Sequence, residues 1–585
     1  MTHRLVSVVA RERPWTDHIQ FHGARHSIRA RERHPMRNRV KGAIALAAAA
    51  ALLLTGCSGS SHNGPSATSA KGGTLTILTQ QTQINLDPAK SQNLAITTLG
   101  LLVRRLTTWD IQPGKDPKVV PDLATNTGVP SDCGKTWTYT LKSDLKFQDG
   151  TPITSADIKY GVERSFAPEL SGGLGYHKPL LVGGDAYKGP YSGKQLASIE
   201  TPNATTIVFH LNAPYGNWPW IVSMPAFAPV PKAKDNPNTY TDDPVASGPY
   251  EVKSNQQGTQ LTLVRNKYWS QDSVRTGGPD QIVFKESQDV STSAQSLISD
   301  AGSAQTSFMS DYLGAAQLNL VNQNPAAKSR LVTSQAGPIN YVAINTTRGP
   351  LKNLKVRQAI NYAIDPKAFI IAQGGSQAAI RATTLITPGI PGRVEYDLYP
   401  AGQDGNVAKA KQLLQEAGVS SLNLTMWAQN DDRSQAEAQA VQEGLKRVGI
   451  TVTIKPMDQT SFYNEVTTTT ASYDLALSGW QPDFPSAAGN IQPLFASDQI
   501  GNGGFNLSHY SNPAVDKLID QAQATVDQTQ ANTLWAQVDK TIMQDAPIVP
   551  LTYARQAFLR GSKVQNFFVA SFPAYPNYLK VTLAQ

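Results

Sequence analysis

The side chain whose setting defines a chemistry most sharply is Cys57, the last residue of Leu54-Thr55-Gly56-Cys57. A thiol preceded by Leu, a small residue and Gly, directly after an apolar run, has the arrangement of a lipobox. There the sulfur takes a diacylglycerol and the cysteine becomes the new N-terminus. The run itself, Gly42 to Leu54, is about 13 residues long. That is short of the ~20 needed to span a bilayer and suits a signal-peptide core. Arg37, Arg39 and Lys41 supply its positive flank. The alternative is an ordinary leader followed by an incidental cysteine. The 35 residues before Met36 are rich in Arg and His and have no apolar core. Either Met36 is the true start or the n-region is unusually long.

Other reactive side chains are scarce. With Cys57 as anchor, Cys133 is the sole remaining cysteine, so no intrachain disulfide is expected. Cysteine-ligated zinc and iron–sulfur chemistry are excluded by the same count. Cys133 lies in Ser131-Asp132-Cys133-Gly134, which reads as a turn before a strand. After Cys57 there are four histidines, His62, His177, His210 and His509, each isolated in sequence. The motifs HExxH, GxSxG, GxxxxGK[ST] and GxGxxG are absent. No catalytic residue, metal set or cofactor is therefore assigned. A hydrolase with a dispersed site is the alternative.

Charge excludes another class. The chain has 52 Lys+Arg against 44 Asp+Glu, a net +8. Residues 1–57 hold 10 of the basic and 3 of the acidic residues, so the remainder is close to neutral at +1. There is no basic face to argue for nucleic acid.

Ser58 to Ala70 is small and polar and reads as a flexible tether. The body that follows alternates strand and helix patterns. Thr74 to Leu78, Tyr341 to Asn345 and Ile450 to Ile454 read as strands. Thr136 to Lys142 alternates strictly, which puts Trp137, Tyr139 and Leu141 on one face, and Ile207, Phe209 and Leu211 repeat the pattern. Thr154 and Asp157 have capping-box spacing before Ile158, Val162 and Phe166 at helical intervals. Val356, Ala359, Ile360, Ala363 and Ile364 mark another amphipathic helix, stopped by Asp365-Pro366. Further helices end at Gly418 and Gly449, and Asn512-Pro513 opens one more. The class is mixed α/β without a fixed-period repeat.

Several stretches, in order across nearly all of the body, resemble the peptide, oligopeptide and nickel family of bacterial extracellular solute-binding proteins, the substrate-binding lipoproteins of ABC importers. Leu86-Asp87-Pro88-Ala89 is similar to the family's early "LDP" segment, and Arg105 to Asp110 to its "GLTRYD". The longest block runs from Pro121-Asp122-Leu123-Ala124 through Lys135 to Leu141 and on to Phe147-Gln148-Asp149-Gly150-Thr151-Pro152. It resembles "PDLA…KTWTFTLR…KFHDGTPLT". Ser247-Gly248-Pro249-Tyr250, Asn345 with Val356-Arg357-Gln358-Ala359, Trp480 to Asp483, Tyr510 to Pro513 and Pro547 to Leu551 also match. These signature blocks read as structural: Asp149-Gly150 is a turn signal, and Arg357 suits a surface or capping position better than a ligand contact.

The resemblance implies a two-lobed type II periplasmic-binding fold with an inserted third domain. Lobe I would comprise 72–110, 199–339 and 548–585, the inserted domain 111–198, and lobe II 340–547, after a leader (1–57) and tether (58–71). The implied cargo is a short peptide held between the lobes, its backbone paired by Ser91, Gln92, Asn93 and Leu94 on lobe I and by Ser478, Gly479 and Trp480 on lobe II. Asp483 would pair with the α-ammonium. Asp483 could instead make an Asx-type turn beside proline, and Trp480 could be a core aromatic. After Asp483 the chain departs from relatives that carry a further acidic residue, having Phe484-Pro485-Ser486. That keeps a glycan, an opine-like compound or a metal chelate open as cargo. The implied partners are ABC permease and ATPase subunits and the membrane, through the lipid; a peptide-sensing receptor would have the same sequence features. A monomer on the extracytoplasmic side of the cell membrane is expected.

Overall fold

The structure is a computed structural model and describes residues 72–270, 272–501 and 503–584. The leader, Cys57 and the tether lie outside the described residues. Among those residues, no helix is long and apolar enough to cross a membrane.

Lobe I is built on a five-stranded sheet in the order Ser307–Met309, Thr74–Leu78, Gln281–Lys285, Gln260–Arg265, Tyr250–Gln256. Thr74–Leu78 runs parallel to both neighbours, and the rest is antiparallel. Its central strands are apolar and buried on both faces, as the near-continuous runs LTIL and QIVFK require. The C-terminus completes this lobe. The ring of Tyr578 packs 6.0 Å from Phe284 and 5.5 Å from Phe308. The backbone N–H groups of Gly277 and Gly278 donate to the carbonyls of Leu579 and Val581 at 2.7 and 3.2 Å.

The inserted domain is an antiparallel sheet in the order Val129–Ser131, Thr136–Thr140, Thr206–His210, Ile199–Asn203. The alternating residues do face one core: Trp137 lies opposite Phe209, and Tyr139 opposite Ile207, all four buried. The helix Ser155–Arg164 has the expected capping box, with Asp157 Oδ2 accepting from the Thr154 backbone at 2.8 Å. Sheet membership carries this domain through His210. The boundary expected at 198 cuts between paired strands, because Ile199–Asn203 and Thr206–His210 are a hairpin whose partner is Thr136–Thr140.

Lobe II has a six-stranded mixed sheet in the order Ala379–Arg381, Ile548–Ala554, Ile339–Ile344, Leu475–Trp480, Leu422–Gln429, Ile450–Met457. A second apolar core lies between it and the helices Leu354–Ala363, Val407–Glu416 and Asp432–Lys446. The strand Ile548–Ala554 belongs to this sheet, although the sequence reading begins the last lobe I segment at 548. The chain re-enters lobe I only at Ala557–Leu559, which pairs with Leu331–Thr333. The two crossings are therefore 334–338 and 555–556, side by side at the ends of the neighbouring strands Ile339–Ile344 and Ile548–Ala554. Arg357 is 8% exposed, not a surface residue: its guanidinium donates to the carbonyls of Leu351, Lys352 and Asp545. It ties the helix Leu354–Ala363 to the segment that leads back to lobe I.

The signature stretches are load points of this frame. Asp122 is fully buried and accepts from Arg104 Nε at 2.7 Å, from Arg275 at 2.6 and 3.1 Å, and from the Arg105 backbone at 3.1 Å. Asp87 binds Arg164 through both carboxylate oxygens at 2.9 Å, which locks lobe I to the inserted domain. Gly150 has φ +89°, which the tight turn after Asp149 demands of glycine. A Cβ on Gly248 would sit 2.7 Å from the Leu101 carbonyl oxygen.

Candidate functional site

Two cavities lie between the lobes, one beside the strand Leu475–Trp480 and one beside the turn after it. The first holds about 500 Å³ and is lined from lobe I by Ile84, Asn85, Lys90 to Leu94, Thr97, Ser310, Asp311, Tyr575 and Tyr578. Lobe II contributes Gln481, Pro482 and Asp483. The second, about 750 Å³, is lined by Tyr312, Asn340, Gln373, Arg433, Glu437, Ser478, Gly479 and Arg555, among others. Neither lining contains a histidine or cysteine. Among the described residues, no group of three potential metal ligands is assembled.

Asp483 is positioned by its neighbours. Phe484 is 1% exposed and packs edge-on against Tyr176, with ring centroids 5.5 Å apart. Ser486 caps the following helix, Ala487–Phe495, and donates to Asn217 Oδ1 at 2.9 Å. With both flanks anchored, the half-buried carboxylate projects into the first cavity. Its hydrogen bond is a 2.6 Å one from the Tyr176 hydroxyl of the inserted domain. No backbone N–H of its own turn reaches it among the described residues, so the Asx-type turn is not formed. Burial raises the Asp483 pKa, and the Tyr176 hydrogen bond offsets this only in part. The carboxylate is desolvated and has no cationic partner among the described residues. An incoming ammonium would supply one.

The strand Leu475–Trp480 offers a second kind of contact. Along one edge all six residues pair with Ile339–Ile344. Along the other, only Leu475 and Ala476 pair, with Met426 and Trp427. From Leu477 onward that edge has no strand beside it among the described residues. Ser478 and Gly479 present it to the second cavity. An extended ligand backbone can satisfy these groups.

The other expected residues divide. Ser91, Gln92, Asn93 and Leu94 all line the first cavity, but they are not a strand. The Ser91 hydroxyl takes both the backbone and the side-chain N–H of Asn93, at 3.1 and 2.9 Å, and the Gln92 amide donates to the Gly172 carbonyl at 2.9 Å. The segment is a fixed, folded wall whose hydrogen-bonding groups are partly committed. Trp480 lines neither cavity: its ring is 5.2 Å from Phe505 and its N–H donates to the Gly489 carbonyl at 2.8 Å. It buttresses the helix that follows Asp483. His177 is fully buried with its Nε2 against Ser165 Oγ, and burial pushes its pKa down to about 3. His210 pairs with Glu200 on the inserted sheet. Neither lines either cavity.

Tyr176, Asp311, Tyr575, Arg433 and Arg555 were not singled out from the sequence. Tyr176 meets Asp483 across 307 residues of chain, a proximity no local pattern encodes. Arg433 follows the helix cap Asp431, and the capping pattern gives it only a surface reading; in the structure it donates to Glu437 Oε1 at 2.8 Å beside the second cavity.

A two-lobed α/β frame with a cleft lined by both lobes has the architecture of a solute-binding protein. The chain belongs to family 5 of the bacterial extracellular solute-binding proteins, whose middle region matches residues 118–502. It is 30% identical over 468 residues to the glutathione-binding protein of Salmonella typhi, covering 78% of this chain and 84% of that one. The dipeptide-binding protein of Bacillus subtilis is 25% identical over 470 residues, 77% and 82% of the two chains. Among solved structures, clavulanic acid biosynthesis oligopeptide binding protein 2 superposes with a TM-score of 0.81 at 31% identity, covering 88% of this chain and 96% of that one. A periplasmic binding protein from Helicobacter pylori in complex with peptide STSA shares the fold, with a TM-score of 0.67 at 22% identity, covering 88% and 99%.

Proposed function

We propose that this protein is the lipid-anchored, extracytoplasmic binding component of an ABC importer, and that it captures short peptides in the cleft and hands them to the permease. The observation that carries the reading is Asp483: a desolvated carboxylate without a cation, at the end of a strand whose free edge faces the same cleft. In this reading Asp483 takes the peptide α-ammonium, with the Tyr176 hydroxyl beside it. Ser478 and Gly479 pair with the peptide backbone. The segments 91–94 form the opposite wall. Arg433 and Arg555 lie in the second cavity, where a terminal carboxylate would come to rest. The names of the relatives, which bind glutathione, dipeptides and oligopeptides, agree with such a cargo. Lobe closure around a buried ligand follows from its contacts to both lobes, which favour the closed state. Cys57 carries the lipid, and the protein acts as a monomer.

Mass spectrometry of ligand released by denaturing protein purified from its native host tests the proposal. Short peptides with free amino termini are the expected finding. A glycan, an opine-like compound or a metal chelate as the sole released ligand overturns it.

A further inference from the structure

The first cavity carries two carboxylates, one more than an α-ammonium at Asp483 would contact. Asp311 lines it together with Asp483, and Lys90 is the one cationic residue in the lining. Neither aspartate makes an ion pair among the described residues. Lys90 has none there either, so it does not neutralise Asp311 directly. The remaining polar lining residues are neutral, chiefly amides and hydroxyls such as Gln81, Asn85, Asn93 and Ser310.

Asp311 is held rigidly. It follows the strand Ser307–Met309, and the Ser310 backbone N–H donates to the Leu78 carbonyl at 2.9 Å. Its Oδ2 accepts from the Gln80 backbone at 2.8 Å and, more weakly, from the Ser310 hydroxyl at 3.4 Å. Oδ1 has no protein donor among the described residues. Tyr575 lines the same cavity. An α-ammonium paired with Asp483 leaves Oδ1 of Asp311 open to a second donor from the ligand.

We propose that Asp311 is a second cation-recognising carboxylate of the cleft, so that the preferred cargo is a peptide with a basic side chain in addition to its α-ammonium. This rests on the peptide reading above. A lysine or arginine side chain entering the amide-lined space would reach Oδ1 of Asp311 while the α-ammonium occupies Asp483. The neutral lining then solvates the aliphatic stem and spare donors without adding charge.

The test is isothermal calorimetry on the purified protein with Ala-Ala-Ala and with lysine substituted in turn at each of its three positions. Each lysine peptide is compared with its uncharged norleucine twin. The wild type should bind at least one lysine peptide about tenfold or more tightly than the twin, the scale of a partly desolvated charge pair. Asp311→Asn should reduce that preference to within about twofold and leave the norleucine peptides within about twofold of wild type. Asp311→Glu should retain the preference, which guards against a folding defect in the amide variant. Equal binding of lysine and norleucine peptides at all three positions overturns the proposal and leaves the peptide reading intact. A lysine preference that survives in Asp311→Asn overturns it too. Failure of every peptide to bind overturns both.

Discussion

Asp122 and Asp483 are both removed from water in the folded chain, and they have opposite surroundings. Asp122 is 1% exposed and is clamped by the guanidinium groups of Arg104 and Arg275. Burial alone would raise its pKa; the two arginine charges and their hydrogen bonds overcome that and hold it well below the usual carboxylate range. Asp483 receives a single tyrosine hydroxyl and its pKa is raised. The family's signature residue is thus compensated internally, and the cleft residue is left with a charge that its own chain does not match. The two aspartates thus differ in compensation rather than in burial alone.

The comparison can be broken most severely at Asp122. Replacing it with Ala leaves two arginines without their shared anion in the lobe I core, a change that costs about 3–5 kcal/mol. Thermal or urea unfolding should show that loss, and the surviving folded fraction should bind peptide normally. An unfolding midpoint equal to wild type would refute the structural assignment.

Asp483→Ala should do the reverse. With the ammonium left unpaired on closure, peptide affinity should fall by roughly two to three orders of magnitude. The unfolding midpoint should stay near that of wild type. Calorimetry with a free and an N-acetylated tripeptide checks this, because the acetylated peptide should bind wild type as poorly as the free peptide binds the variant. Unchanged binding by a stable Asp483→Ala protein would eliminate the ammonium contact.

The smallest effect is a difference in pH slope. Asp122 has a depressed folded pKa, so its stabilisation is present above the ordinary carboxylate pKa and is lost as pH falls through the folded value. Asp483 has a raised folded pKa, so stability declines as pH rises from the ordinary carboxylate value through the raised one. Asp483→Asn removes the second trend. The unfolding temperature of that variant minus wild type should be more positive at pH 7 than at pH 4. A constant difference would mean that Asp483 is not desolvated in the free protein.

Much of the frame was legible from local pattern. Period-two alternation put Trp137, Tyr139, Ile207 and Phe209 on one buried face, and Thr154 with Asp157 marked a helix start. Pairing partners were not legible. The strand Ile548–Ala554 is apolar enough for either lobe, and its pairing with Ile339–Ile344 and Ala379–Arg381 assigns it to lobe II. In the cleft, Ser91 to Leu94, Ser478, Gly479 and Asp483 are named by resemblance, and what the structure adds is that they line the two cavities. Trp480 was misplaced because a residue's position on a strand end does not say whether its ring turns toward the cleft or toward Phe505. Tyr176 and Asp311 come from segments that are remote in sequence from Asp483, and only the assembled fold brings them together.

The arrangement of lobe I has a consequence for how the molecule comes into being. Lobe II draws its sheet from one stretch, 339–554, and its strands need no partner from outside that stretch. Lobe I joins Thr74–Leu78 to strands more than two hundred residues later, and its core is closed by Tyr578, Leu579 and Val581. Loop closures of that length are slow, and they wait for almost the last residue of the chain. The wall that carries Asp311 is therefore finished last. A polypeptide that ends a dozen residues early would keep a formed lobe II and have no partner surface to close against it.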